Sequence, residues 1–365
     1  MIEQNKQLYQ PNKISAPGET LLDLLEEREM SQAELAKRTG RPLKTINEIV
    51  KGKAAITSET AIQLERVLGT PAEFWNQREA NYRACLASQK ELAFLTTHKD
   101  WLKQFPIKEM IKRGWLQCTT DITAQMINLL NFFGVATPEQ WADGWTKRKL
   151  AFRKAANVNN NIGAISAWLR QGELEGQKIQ CQPFNKDLLL SSIDKIRQLT
   201  LETDANIFIP KLQNICADCG IAIVFVKPFP KVPVYGASCW LNPDKALIQL
   251  SLRGKTADIL WFTIFHEIGH IIKHSKKELF IEIDDKLESK SPEEIEADEY
   301  ASETLIPASY LNKWLDENRQ ISANAISAFS KKLNVAPGIV VGRLQYLERI
   351  KYSACNKLKI RYDWH

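Results

Sequence analysis

The mostly apolar segment Trp261–Lys273 contains a His-Glu-x-x-His sequence, formed by His266, Glu267 and His270. In a helix, residues four apart lie one turn apart on the same face, so both imidazoles can reach one ion. Neutral imidazole nitrogens are preferred zinc ligands, and the adjacent Glu267 can take a proton from a water molecule. The chain has only five histidines, so a chance match is improbable, and the alternative is a pair of core histidines on a buried helix. The sequence therefore predicts a zinc-binding helix with Glu267 as the catalytic residue.

A zinc site needs a third protein ligand. His274 continues the four-residue spacing, but it lies about 12 Å from His266 along a straight helix. We therefore expect His274 either behind the metal ligands, in contact with one of them, or at the surface. The better candidates follow on the next predicted helix, where Glu294 and Glu296 compete. Glu294 is favoured because it pairs with Asp298 at one-turn spacing, and Asp298 could then orient a ligating histidine.

Two short helices separated by a glycine-containing turn are predicted near the N-terminus. Ser31 is a favourable N-cap residue, and Gly40 can adopt the left-handed conformation that ends a helix. Apolar positions near helical spacing on the second helix are supplied by Leu43, Ile46, Ile49 and Val50. Such a pair can place its second helix in the major groove of DNA, although a helical hairpin that packs only against itself has the same pattern. Residues 37–53 are locally basic, with one acidic residue, Glu48, and six basic ones: Lys37, Arg38, Arg41, Lys44, Lys51 and Lys53.

The domain organisation predicted from these patterns has three parts. A helix-turn-helix domain covers 14–95, a helical connecting region covers 96–178, and a third domain covers 180–350. The two glycines in the stretch Gln171–Gly176 indicate that the helical pattern is interrupted there. The basic cluster within Lys147–Lys154 is typical of a solvated helix face.

The third domain is predicted to contain a small sheet. Apolar runs rich in β-branched residues indicate strands at Ile221–Val226, Gly236–Leu241 and Ala246–Leu250. Helices are expected from about residue 254 to the end of the chain.

Composition narrows the class of protein. There is no run of about 18 apolar residues, so we expect no membrane span, and the polar first 30 residues carry no signal peptide; a cytoplasmic location is expected. Seven cysteines without regular spacing do not indicate a disulfide framework. Cys216 and Cys219 form a single CxxC, and a zinc ribbon would need a second pair.

The C-terminal motifs resemble a known family. The stretch GASCWLNPDKALIQLSLRGKTADILWFTIFHEIGHIIKH, followed by EEIEADEYASETLIP, is similar to the ImmA/IrrE family of metallopeptidases over about 180–350. The resemblance implies a zincin-like fold with Zn²⁺ held by His266, His270 and Glu294, and Glu267 as the catalytic acid/base. Tyr300 replaces a usual phenylalanine, either as packing or as a phenol facing the site.

The N-terminal stretch resembles another family. SQAELAKRTG, ITSETA and LGTPAEFW, within 14–85, are similar to Cro-repressor-type domains, in particular the HigA-type antidotes of toxin–antitoxin modules. The family often has glutamine or serine at positions 42 and 43, so the operator sequence does not carry over. The resemblance implies six DNA-contacting residues: Gln32 at the DNA backbone, Leu43, Lys44 and Glu48 at base edges, and Thr45 and Lys53 at phosphates.

Together these observations predict a mostly α protein. A five-helix helix-turn-helix domain and a helical middle region precede a C-terminal α+β metallopeptidase domain with a small β-sheet. We expect a DNA-binding transcriptional regulator, homodimeric on a double-stranded operator, whose zinc endopeptidase domain cleaves a regulatory partner such as a repressor. The alternatives are a non-catalytic HigA-like antitoxin with a toxin partner, whose zinc domain is a sensor or protein-binding module, and a hydrolase acting on smaller molecules.

Overall fold

The structure, a computed structural model, describes residues 15–144, 162–283 and 291–363. The chain divides into two units, one ending at His98 and the other beginning at Lys99. The predicted basic cluster at Lys147–Lys154 lies outside the described residues.

The first unit is helical. Its described residues form five helices, as predicted: α1 Pro17–Glu27, α2 Gln32–Thr39, α3 Leu43–Val50, α4 Ser58–Leu68 and α5 Ala72–Thr97.

The capping residues predicted from the sequence set the bounds of α2. The Ser31 hydroxyl accepts a hydrogen bond from the Glu34 amide at 3.1 Å, and Gly40 ends the helix with φ of 68°. These contacts satisfy amide and carbonyl groups that have no partner within the helix. The core of this unit is apolar and includes the fully buried Leu35, Ile46 and Trp75.

The second unit begins with helices. Its described α-helices before the sheet include α6 Ile107–Lys112, α7 Ile122–Phe133, α8 Ile162–Lys178, α9 Lys186–Gln198 and α10 Ala205–Asp218.

Helix α8 runs through the stretch where a break was predicted, so that prediction is wrong. Gly172 and Gly176 lie within the helix because they face the sheet closely. A Cβ atom at Gly172 would lie 1.8 Å from the Gln249 side chain, and one at Gly176 would lie 2.7 Å from Leu247. These two glycines therefore allow close packing rather than ending the helix.

A four-stranded mixed sheet follows, with strands β1 Ile221–Phe225, β2 Val234–Asn242, β3 Lys245–Leu250 and β4 Phe280–Ile283. The strand order is β1-β3-β2-β4. Strands β1 and β3 are parallel, whereas β2 is antiparallel to both β3 and β4. The first three strands agree closely with the prediction.

Strand β4 corrects the prediction that only helices follow residue 254. Its four residues are too few to give a clear alternating pattern, and they form a strand because they pair with β2. In that pairing, Phe280 lies opposite Ser238 and Glu282 lies opposite Gly236.

The helices after β3 are α11 Ala257–Lys273, α12 Pro292–Leu305, α13 Ala308–Glu317, α14 Ala323–Leu333 and α15 Pro337–Tyr346. Helix α11 packs against β2, α12 and α15. Since successive residues of a strand face opposite sides, Ile248 joins the core with Phe265 of α11, whereas Gln249 bonds to the Trp168 carbonyl of α8 at 2.8 Å. The sheet thus has α11 on one face and α8 on the other.

Within the described residues, none of the helices combines the length and the apolar character that crossing a membrane requires.

Candidate metal centre and nucleic-acid interface

Helix α11 holds the His-Glu-x-x-His residues in the interior of the second unit. His266, Glu267 and His270 are 1%, 0% and 2% exposed. Polar side chains this deeply buried need partners or a bound ion. Phe265 and Ile268, which adjoin His266 and Glu267 in the sequence, are fully buried in the apolar core. Their packing holds the helix in place.

Three side chains converge at one point. Nε2 of His266 lies 3.0 Å from Nε2 of His270. The Glu294 carboxylate, from α12, lies 3.1 Å from Nε2 of His266 and 3.5 Å from Nε2 of His270. The described residues therefore contain a His/His/Glu group that could hold a metal ion.

The spacing and chemistry of these donors fit zinc. In a tetrahedral zinc site with bonds of about 2.0–2.2 Å, neighbouring donor atoms lie roughly 3.3–3.6 Å apart, close to the distances between His266, His270 and Glu294. Two imidazoles and one carboxylate also form the ligand set of several catalytic zinc sites, which leave a fourth position open.

The carboxylates around the site favour a positive charge at the point where His266, His270 and Glu294 converge. Burial alone would lower the pKa of His266, but the carboxylates of Asp298 and Glu294 raise it well above its usual value. Burial alone would raise the pKa of Glu294, yet its close contacts with the His266 and His270 imidazoles hold it below its usual range. Burial lowers the pKa of His270, which favours the neutral imidazole that a metal requires.

The two candidate carboxylates on α12 have different neighbours. The Glu294 carboxylate contacts both ligand imidazoles, whereas the Glu296 carboxylate lies 3.4 Å from Nε2 of His274. Asp298 lies 3.0 Å from Nδ1 of His266, the position from which a carboxylate orients a ligating histidine. His274 lies 2.9 Å from His270, with the two Nδ1 atoms facing each other.

Close packing of α12 on α11 brings Glu294 to the histidines. A Cβ atom at Gly269 would lie 3.3 Å from the Cα atom of Ala297 and 3.2 Å from the Tyr300 ring. Gly269 thus allows the backbone of α12 to approach. Burial raises the pKa of Tyr300, whose hydroxyl bonds to Thr304, so Tyr300 acts in packing between the two helices.

Glu267 is enclosed by α11 and β2. Gly236 of β2 makes room for it, since a Cβ atom there would lie 2.7 Å from the Glu267 Oε1 atom. Burial raises the pKa of Glu267 to about 8, although the charge of His266 and the Ser238 hydroxyl lower it. A positively charged metal ion bound beside Glu267 would oppose this shift, because a nearby positive charge favours the ionised carboxylate.

Sequence reasoning missed two residues of β4 that border the site. The Phe280 ring stacks on the His270 ring, with 4.0 Å between centroids and 15° between planes. Burial raises the pKa of Glu282, while the nearby His266 and Thr263 lower it. Both residues were missed because β4 itself was not predicted.

The DNA-contacting residues predicted from the sequence lie on or next to α2 and α3. Leu43 is 45% exposed, although an isolated helix pattern would count it as apolar core. Lys44 is exposed and Glu48 is half-buried, and the two form an ion pair at 3.9 Å. Lys53 is exposed, whereas Gln32 and Thr45 are half-buried. The buried Ile46 and Ile49 hold α3 on the core, and the polar face therefore remains accessible.

Two family models match the chain. The first, described as helix-turn-helix, matches residues 21–75. The second, described as the IrrE N-terminal-like domain and assigned to a peptidase family, matches residues 222–345. The chain joins a helix-turn-helix domain to an IrrE N-terminal-like domain. Both resemblances and the mostly α fold class predicted from the sequence are therefore confirmed.

The IrrE N-terminal-like domain contains the whole candidate metal centre, from His266 to Asp298. The helix-turn-helix domain contains the six residues predicted to contact DNA, on or next to α2 and α3. The two sites thus belong to separate domains.

Solved structures similar to the helix-turn-helix domain include proteins of the HigA type. A HigA-family addiction module antidote protein from Coxiella burnetii is 30% identical, covering 23% of this chain and 94% of its own, with a TM-score of 0.22. The Pseudomonas aeruginosa antitoxin HigA, solved with the higBA promoter, is 32% identical, covering 21% and 86%, with a TM-score of 0.21. Another Pseudomonas aeruginosa protein, solved with its operator DNA, is 34% identical, covering 20% and 84%, with a TM-score of 0.20. No curated protein matches the chain.

Proposed function

We propose that this protein is a DNA-binding transcriptional regulator whose IrrE N-terminal-like domain is a zinc-dependent endopeptidase that cleaves a regulatory partner protein. The observation that carries the proposal is the meeting of His266, His270 and Glu294 within 3.5 Å, with Glu267 on the same helix. The peptidase family match over 222–345 supports it.

In this proposal His266, His270 and Glu294 hold Zn²⁺, and Asp298 orients His266. Zinc, when bound, supplies Lewis-acid chemistry that acidifies a water molecule and polarises a carbonyl group. Glu267 accepts a proton from the attacking water and returns it to the leaving amine, as a general base and then a general acid. Its burial keeps other water away, so the proton passes between Glu267 and the reacting groups.

The sheet offers a binding mode for the substrate. Strand β4 lies at the edge of the described sheet, and its Phe280 packs on His270. An extended peptide can add to such an edge through main-chain hydrogen bonds. The substrate of the proposed enzyme is therefore an extended segment of a protein rather than a small molecule.

The helix-turn-helix domain is proposed to bind a double-stranded operator as a homodimer, because paired half-sites match a two-fold symmetric protein. Leu43, Lys44 and Glu48 would contact base edges, and Gln32, Thr45 and Lys53 would contact the backbone. The exposed polar face of α3 supports these roles. An operator-bound regulator of this kind would work in the cytoplasm.

The test compares zinc-loaded wild type with Glu267→Gln on proteins encoded beside this chain's gene, with cleavage followed by mass spectrometry. We expect wild type to cut one partner at a defined bond, and Glu267→Gln to bind zinc normally but to cut about 100-fold or more slowly. Glu299→Gln, an exposed position of α12, is the matched control and should behave as wild type. Equal regulation of a promoter by wild type and Glu267→Gln, with no partner cut, would instead favour the non-catalytic antitoxin or transcription factor.

A further inference from the structure

The His270 imidazole has a second set of contacts on the side away from Glu294. Its Nδ1 atom lies 2.9 Å from Nδ1 of His274, and Nε2 of His274 lies 3.4 Å from the Glu296 carboxylate. The three side chains form a line that runs from the candidate metal position to the exposed Glu296. The His274 side chain is 8% exposed and that of Glu296 is 54% exposed.

The donors and acceptors of His270, His274 and Glu296 determine which ring nitrogens carry protons. An ionised carboxylate only accepts hydrogen bonds, so Glu296 selects the His274 tautomer with its proton on Nε2. Nδ1 of neutral His274 is then an acceptor. The short contact between the two Nδ1 atoms therefore requires His270 to donate from Nδ1, which leaves the lone pair on Nε2 of His270 directed at the candidate metal position.

The orientations of the His270 and His274 rings are also fixed. Phe280 of β4 stacks on His270 at 4.0 Å and lies 5.2 Å from the His274 ring. His274 itself ends α11 in an extended conformation, with its amide bonded to the His270 carbonyl at 3.0 Å. Neither imidazole can thus rotate freely, and the contact between them is built by the end of α11 and by β4.

We propose that His274 is a positioning residue for the metal centre, holding His270 in the tautomer whose Nε2 lone pair binds the metal, with Glu296 holding His274 in turn. This inference rests on the proposed zinc site. It gives His270 the same support that Asp298 gives His266, and it assigns Glu296, a competing candidate for the third ligand, to this outer role.

The first measurement is zinc affinity, by competition with a chromophoric chelator, on the full chain. Loss of an outer hydrogen-bond partner of a ligating histidine weakens metal affinity about 10–100-fold, so we expect this loss in His274→Ala, with one zinc per chain retained at saturation. His274→Asn should recover most of the affinity, because its Oδ1 atom can accept a hydrogen bond where Nδ1 did. Glu296→Gln, whose amide oxygen still accepts, should stay closer to wild type than His274→Ala. His98→Ala, in the other unit, is the matched control.

The second measurement needs no variant. With nitrogen-labelled histidine in the zinc-loaded wild type, long-range proton–nitrogen NMR should show His270 protonated on Nδ1 and His274 protonated on Nε2. Five histidines make assignment by single substitutions practical.

The outcomes separate the two proposals. If wild type binds one zinc and His274→Ala binds it as tightly, or if NMR places the His270 proton elsewhere, the positioning role is wrong while the zinc site stands. If wild type binds no zinc, the zinc site fails and the positioning role fails with it.

Discussion

The Glu294 Oε2 atom lies 3.1 Å from Nε2 of His266, although 28 positions of sequence separate the two residues. Contact between α11 and α12 at Gly269 and Ala297 brings them together. A zinc centre at this position depends on the contact between Glu294 and His266, because two imidazoles alone would leave zinc with too few protein ligands.

The role of Glu294 can be separated from that of Glu296 by matched substitutions. Glu294→Gln removes a charged oxygen ligand, so we expect zinc affinity to fall on the order of 100-fold or more, since even outer partners of a ligand are worth 10–100-fold. Glu296→Gln should still bind one zinc per chain, and Glu299→Gln is the control. Metal analysis after dialysis against a weak chelator checks this; loss of zinc in Glu296→Gln but not in Glu294→Gln would reverse the assignment.

Gly236 is predicted to be needed for catalysis, although it has no side chain. In Gly236→Ala the added carbon would lie 2.7 Å from both the Glu267 Oε1 atom and the Thr263 Cγ2 atom, so the carboxylate must move. We expect stability to fall by about 1–3 kcal/mol and peptide cleavage to slow about 100-fold, as for a catalytic group displaced by 1 Å, with zinc retained. The control is Gly144→Ala, because no atom of the described residues lies within 4 Å of a Cβ atom placed there. Unchanged cleavage by Gly236→Ala would contradict the proposed position of Glu267.

A substitution that destabilises the first unit should leave zinc binding by the second unit unchanged. A Cβ atom at Gly18 would lie 2.2 Å from the Ile49 carbonyl oxygen and 2.5 Å from that of Val50, so Gly18→Ala must push α1 away from α3. We expect a loss of about 3 kcal/mol or more in the stability of this unit and loss of operator binding, with zinc binding unchanged. Thermal unfolding, DNA binding and metal analysis on one preparation check it. If Gly18→Ala bound the operator as tightly as wild type, the close packing of α1 on α3 would be contradicted.

Lys53 is predicted to contact a phosphate. Its contribution to DNA affinity should therefore depend on the salt concentration rather than on the base sequence of the operator. Lys53→Ala should weaken binding uniformly across operator variants and reduce the slope of log affinity against log salt by about 1. Leu43→Ala, by contrast, should relax the preference at one base position. The measurement is a fluorescence anisotropy titration at several salt concentrations, with Lys90→Ala on α5 as the control. A slope equal to that of wild type would place Lys53 away from the DNA backbone.

Cysteine reactivity tests the packing of the second unit. Burial raises the pKa of Cys216 well above its usual value, and the reactive form of cysteine is the thiolate. We expect Cys118, which is exposed, to be alkylated in the native protein at pH 8, and Cys216 only after unfolding. Peptide mass spectrometry over time gives both rates, with Cys118→Ser as the control; equal rates for Cys118 and Cys216 would contradict the buried position.

The sequence predicted those parts of the site whose spacing is local. His266, Glu267 and His270 lie within one turn of a helix, so helical geometry alone places them together. Which carboxylate of α12 joins them depends on how two helices pack, and Gly269 and Ala297 set that packing through space. The same limit explains the missed strand β4, which exists through its pairing with β2, and the wrongly predicted break in α8, where the glycines face a sheet.

The most direct test of the central claim is anomalous diffraction at the zinc absorption edge from crystals of the full chain. We expect one anomalous peak, within bonding distance of Nε2 of His266, Nε2 of His270 and the Glu294 carboxylate. A peak bound by other side chains, or no peak at this position in zinc-saturated crystals, would contradict it.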